Sequence, residues 1–171
     1  YLHVADTVIW MRSYRPEDVT ERARALAQRH GDGAFEPPDP WPGVVARVPV
    51  PESIDPRRRD RTRVKAYGTE EVAFGYESID LSHVEQIVDP SQTRAIGLAL
   101  VYALEQGFID GRRPLAAILD ALEAAMDRHG LDVLSPFRGH PGDFARPRRF
   151  ELAAALNRLR TLEVRQLRPS R

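Results

Sequence analysis

Cysteine is absent from the 171 residues of this chain. That excludes disulfide cross-links and thiolate metal sites, and it fits a cytosolic protein. Lysine is nearly absent: Lys65 is the sole example, and every other basic side chain apart from histidine is arginine. No apolar run approaches the ~20 residues needed to span a bilayer, and no signal peptide opens the chain. A cytoplasmic protein without membrane segments is therefore expected. The glycine-rich phosphate loops GxxxxGK[ST] and GxGxxG are missing, as is the zinc motif HExxH. No serine or cysteine sits in recognisable nucleophile context, so no catalytic residue and no metal ligand set is assigned.

Hydrophobic residues make up 42% of the chain, which argues against general disorder and for a real core. The formal net charge is zero, but the charges are segregated. Residues 57–65, "RRRDRTRVK", carry six basic side chains and one acidic one. Residues 67–93 then hold six acidic side chains and no lysine or arginine. Basic character returns at Arg138, Arg146, Arg148 and Arg149, and again in the C-terminal segment. Blocks of this kind fit a local polyanion site; they equally fit a solvated surface with internal ion pairs.

Along the chain, "VADTVIWM" at 4–11 reads as a buried strand, as in a parallel sheet. Pro16, Glu17 and Asp18 then open an amphipathic helix over 16–30 that stops at Gly31. Residues 32–56 hold seven of the fourteen prolines and read as an extended, semi-rigid connector. Three segments follow: 1–31, the connector 32–56, and a domain over 57–171. Within the last, "TRVKAYG" and "EVAFGYESIDL" alternate as two strands, with "GTE" as a tight turn and Gly75 as a bulge. Residues 82–87 form a single helical turn in this reading. Helices are expected at 90–106, at 114–129 and at 147–160, the last using Phe150, Leu152, Leu156 and Leu159 for its apolar face. A strand is expected within 161–167.

The densest signal is "HVEQIVDPSQTRAIGLALVYA" at 83–103. Asp89 can cap free backbone N–H groups and Pro90 fits the first helical position. Ser91, Gln92, Thr93 and Arg94 then fall on the first turn of a helix that is otherwise apolar. An exposed polar group there marks Gln92, Thr93 and Arg94 as a candidate interface or coupling set. Arg94 needs compensation, either from Asp89 or Glu85 or from a ligand phosphate. His83 and Glu85 share a face if extended, but two ligands fall short of a metal site. His140 beside Asp143 has the chemistry of a base, but loop anchoring is the better reading. The best binding signal is the arginine blocks. Arg57, Arg58, Arg59, Arg61 and Arg63 are candidate phosphate contacts, with Arg146, Arg148 and Arg149 as a second group. Tyr67, Phe74 and Tyr76 lie beside the first block, and aromatic side chains interleaved with arginine hold single strands by stacking. The competing reading places these residues in the core or at a protein interface.

Three segments together carry a family resemblance: "VADTVIWMRSYRPEDVTERA", "IDLSHVEQIVDPSQTRAIGLAL" and "LDVLSPF…ARPRRFELAAALNRLRTLEV". They resemble the predicted ATPases of the ABC class, stand-alone bacterial and archaeal proteins with a relative among kinetoplastid mitochondrial RNA-editing factors. The resemblance implies the C-terminal part of such a protein, with the phosphate loop, signature and Walker B motifs upstream. It implies ATP and Mg2+ as cofactors of the parent protein, none of them bound by this chain alone. It further implies an upstream ATPase domain, a homodimer and a possible RNA or DNA partner. The fold expected is α+β: a small antiparallel sheet packed with about three helices, preceded by a strand-helix remnant of a P-loop ATPase domain. The function implied is coupling of ATP-dependent dimer changes to nucleic-acid binding; the alternative is an assembly module that binds no nucleic acid.

Overall fold

A computed structural model describes residues 2, 5–30, 45–136 and 142–167. Among the described residues the fold is α+β, with small antiparallel sheets and four helices. The chain divides into two units, Tyr1–Gly43 and Val44–Arg171.

The first unit is a hairpin and a helix. β1 (Ile9–Arg12) pairs antiparallel with β2 (Arg15–Asp18), and α1 (Thr20–His30) follows. Of the expected buried strand over 4–11, residue 4 lies outside the described residues and Ile9–Met11 belong to an exposed hairpin strand; the expected helix starts four residues later than Pro16. The cause is local. Ser13 and Tyr14 both adopt positive φ, 47° and 63°, and turn the chain back on itself. Asp18 then accepts from the Thr20 N–H at 2.9 Å and opens the helix.

The second unit holds the core. Of the expected proline-rich connector, residues 32–44 lie outside the described residues. The remainder is not merely extended: it contains β3 (Ala46–Pro49) and a 3-10 turn at Pro51–Ser53. β4 (Arg57–Arg58) and β5 (Arg61–Thr62) then form a short hairpin that no apolar alternation announces. β6 (Val64–Tyr67), β7 (Glu71–Phe74) and β8 (Glu77–Asp80) form a three-stranded antiparallel meander in that order. The expected turn at 68–70 is present, with Gly68 at φ 59°. Gly75 is a turn between two strands and not a bulge within one. Its φ is 63°, and a Cβ there would lie 2.3 Å from the Asp55 carbonyl oxygen. Residues 82–87 make turns and no helix.

α2 (Pro90–Glu105), α3 (Leu115–His129) and α4 (Arg149–Arg158) match the expected helices closely, and β9 (Val164–Leu167) closes the chain by pairing antiparallel with β3. Apolar periodicity explains the helices. Ile118, Leu119, Leu122 and Met126 of α3 are buried, and so are Leu152, Ala155 and Leu156 of α4. Phe150, expected in the α4 core face, is instead 77% exposed, because it precedes the turn that Leu152 and Leu156 direct inward.

α2 is the axis of the unit. Its Ala95, Ile96, Ala99, Leu100 and Ala103 are fully or almost fully buried, and the sheet lies against it through Val72, Phe74 and Ile79. The closest approach is at Gly97. An added Cβ would sit 2.6 Å from Val64 Cγ1 and 2.8 Å from Val72 Cγ1. A methyl group in a helix interior gains about 1 kcal/mol of propensity over glycine, but overpacking against two branched side chains costs roughly 1–3 kcal/mol. Gly97→Ala is therefore expected to lower the thermal unfolding midpoint. A midpoint raised by the substitution would show that the helix does not press on the sheet here.

Candidate nucleic-acid interface

The start of α2 is built as a closed cap. Asp89 Oδ1 accepts from the Ser91 N–H at 2.8 Å and from the Ser91 hydroxyl. The hydroxyl bond, followed by the N–H bond, holds the Asp89 carboxyl below its ordinary range. Gln92 Oε1 reaches back to the N–H groups of Val88 at 2.9 Å and Asp89 at 3.2 Å, which completes a capping box. Gln92 and Thr93 are buried, so the polar first turn is not an exposed surface. Thr93 is 0% exposed and its hydroxyl oxygen has no partner among the described residues. Arg94 pairs with neither Asp89 nor Glu85. Its guanidinium meets the Asp143 carboxylate and donates to the Asp143 carbonyl oxygen at 3.2 Å. That contact links α2 to the segment before α4, across 49 residues of sequence. His140, the other member of the expected His140–Asp143 pair, lies outside the described residues.

The two arginine groups occupy different surroundings. In the second, Arg149 Nη1 lies 2.5 Å from Asp120 Oδ1 and 2.8 Å from Glu123 Oε2, and its Nη2 donates to the Ala116 carbonyl at 3.1 Å. Hydrogen bonds to Glu123 and then Asp120 raise the Arg149 pKa further. Arg146 pairs with Asp127 at 2.6 Å. Arg148 Nε stands 3.8 Å from Glu151 Oε1, while the Arg148 N–H donates to Glu151 Oε2 at 2.7 Å and starts α4. The three acids on α3, at spacings of three and four residues, form a ledge that faces this arginine group. The sequence displayed that ledge on the polar side of α3, and it is the signal for the pairing.

The first group is open. Arg57 is tied to Asp55 at 2.9 Å, which raises its pKa and lowers that of Asp55. Among the described residues, Arg58, Arg59, Arg61, Arg63 and Lys65 have no ion pair within 4.0 Å. Arg58 and Arg61 are register partners across the hairpin, so two like charges face each other. Arg59 sits in the turn with φ 55°, a conformation disfavoured for a side-chain-bearing residue. Strand alternation puts Arg61, Arg63, Lys65 and Tyr67 on one side of a continuous extended run, with Arg58 beside Arg61. Val64 and Ala66 face the other way, toward α2.

Tyr76 props this hairpin on the sheet. Its hydroxyl oxygen accepts from the Arg59 N–H at 3.2 Å, and the Arg58 guanidinium lies 5.6 Å from its ring centre. Lys65 Nζ lies 4.9 Å from the Tyr67 ring centre. Tyr67 and Tyr76 are both exposed, whereas Phe74 is fully buried and belongs to the core. Lys65 joins the expected arginines; its sign in the sequence is that Arg61, Arg63 and Lys65 recur at every second position. On β7 and β8 the same face turns acidic at Glu71 and Asp80, so the positive strip is bounded to β4, β5 and β6.

Arg149→Ala is expected to cost on the order of 1 kcal/mol of stability, the range of a partly exposed ion pair, by releasing α4 from α3. Chemical denaturation measures this directly. A variant as stable as the parent protein would show that the cluster holds nothing together.

Residues 63–165 match the family model described as the MRB1590 C-terminal domain. The match takes in the meander, α2, α3 and α4, and it begins at Arg63, after the hairpin tip. No curated protein matches the chain. No helix among the described residues is long and apolar enough to cross a membrane. With more than half of its length covered by that one model, the chain belongs to the MRB1590 C-terminal domain family.

Proposed function

We propose that the second unit binds single-stranded RNA along the outer side of the 57–67 run. The observation that carries this reading is the uncompensated cation strip: Arg58, Arg59, Arg61, Arg63 and Lys65 on an exposed hairpin and edge strand, two of them directly opposed. Opposed like charges destabilise a strand pair, and a bound phosphate backbone relieves that repulsion. Guanidinium groups are suited to the task through bidentate contacts. Tyr67 and the uncovered face of the Tyr76 ring add surfaces on which bases can stack. The kinetoplastid RNA-editing association of the family supports RNA over DNA.

In the same reading, the chain is the C-terminal part of an ABC-class ATPase, and its first unit is the end of that ATPase domain. ATP and Mg2+ belong to the upstream domain of the parent protein. RNA engagement is coupled to ATP-dependent changes in a homodimer, with Arg94 and the Asp143 segment as the joint that responds. The competing reading, an assembly module without nucleic acid, is favoured by the first unit. There Ile9, Trp10 and Met11 are exposed and Tyr14 is 99% exposed. Apolar exposure of that kind suits a protein surface better than a nucleic acid.

Titration of a labelled single-stranded RNA, and of the matching DNA, at two salt concentrations separates the readings. Five phosphate contacts to a single strand predict a log–log salt slope of about −3.5. Replacing Arg58, Arg61 and Arg63 together by glutamate is expected to abolish binding and leave the oligomeric state unchanged. Unchanged RNA affinity together with an altered oligomeric state would favour the assembly reading.

A further inference from the structure

Among the described residues, no strand pairs with β6 on the side away from β7. The Arg63 N–H donates to the Pro56 carbonyl at 2.9 Å and the Arg63 carbonyl accepts from the Gly75 N–H at 2.8 Å. β4 and β7 therefore lie on the same side of the 61–67 run. In an antiparallel ladder alternate residues point their polar groups to opposite sides. Arg63, Lys65 and Tyr67 bond toward β4 and β7, so the N–H and C=O groups of Val64 and Ala66 point to the free edge. Among the described residues nothing bonds to them.

That edge borders a cleft of about 570 Å³. Its floor is the α2 stripe Leu98, Val101 and Tyr102, and its far wall is Val133 and Phe144. Leu98, Tyr102 and Phe144 are only half-buried, whereas the α2 side chains under the sheet are covered. The cleft extends along α2 from Arg94 to Glu105, about 16 Å at helical rise, which is the span of four or five extended residues at ~3.3 Å each.

We propose that β6 accepts one further strand, an extended peptide segment of a partner protein that alternates apolar and acidic residues. The alternation is dictated by the two sides of β6. Residues opposite Val64 and Ala66 point into the cleft and meet Leu98, Tyr102 and Phe144, so they are apolar. Residues opposite Arg63 and Lys65 lie on the outer side beside uncompensated cations, so they are acidic. Main-chain bonds to Val64 and Ala66 supply affinity and the alternating side chains supply selectivity, as in other strand-addition sites. A second copy of this chain is a poor occupant, because pairing β6 with itself sets Arg63 and Lys65 against cations.

The test uses the full chain and a short fluorescent peptide alternating valine and glutamate, with a valine–lysine peptide as control. Ala66→Pro is the edge-blocking variant. It removes an N–H that faces outward, and proline is tolerated at edge positions of this kind. The expected result is binding of the valine–glutamate peptide only, with protection of the Val64 and Ala66 amides from hydrogen exchange. Ala66→Pro should weaken peptide binding by at least about tenfold. If Ala66→Pro impairs folding, Leu98→Lys in the cleft floor serves instead, with the same expected loss. Equal binding of the valine–lysine peptide, or full binding by both variants, overturns the proposal. Loss of RNA affinity in Ala66→Pro without peptide binding by the parent chain assigns the edge to nucleic acid and also overturns it. So does conversion of a dimer to a monomer by Ala66→Pro, which assigns the edge to a second copy.

Discussion

The contact of Gly97 with Val64 and Val72 is the constraint on which the rest of the second unit depends. It lets α2 approach the sheet closely enough for Ala95, Ile96, Ala99 and Ala103 to be sealed from water. Because Val64 and Ala66 are drawn down onto the helix, alternation turns Arg63, Lys65 and Tyr67 outward. The helix that forms the core thereby also fixes which side of the edge strand carries charge. Its first turn is closed by Asp89 and Gln92, which take up the N–H groups of Ser91, Val88 and Asp89.

Arginine has two opposite fates in this molecule. Around α3 and α4 it meets carboxylates at hydrogen-bond distance and holds two helices together. On the β4–β5 hairpin, apart from Arg57 and its Asp55, it meets another arginine and an aromatic ring. Composition alone cannot separate these fates, since both groups are runs of the same residue. What separates them is the register of acids. Asp120, Glu123 and Asp127 recur on the side of α3 that α4 approaches, while the acids of β7 and β8 are carried away from the hairpin. Local carboxylates at Asp18, Asp55, Asp80 and Asp110 are likewise absorbed by neighbouring hydrogen bonds, which lower their pKa values.

The helices were legible because apolar residues recur at helical spacing and because Asp89–Pro90, Pro114 and Gly130 punctuate them. The short strands were less so. The hairpin at 57–62 has no apolar alternation, four of its six residues being arginine; Tyr76 holds its tip at Arg59, and Gly75 lets its base approach at Asp55 and Arg57. The hairpin at 9–18 resembles a strand followed by a helix in sequence, because Pro16 and two acids imitate a helix start; the turn at Ser13 and Tyr14 carries no glycine to announce it. The candidate site was half legible. The arginine block and its neighbouring tyrosines were visible, but the choice between the two blocks required distances. The pairing of Arg94 with Asp143 spans too much sequence for spacing to suggest it.

The proposed polyanion surface is the 57–67 strip and not the 146–149 cluster. Backbone amide shifts recorded by NMR during addition of a single-stranded RNA test it most directly. The largest changes are expected within residues 57–67 and at Tyr76, with the amides of Arg146, Arg148 and Arg149 unmoved. Changes centred on 146–149, with the hairpin unaffected, would contradict it.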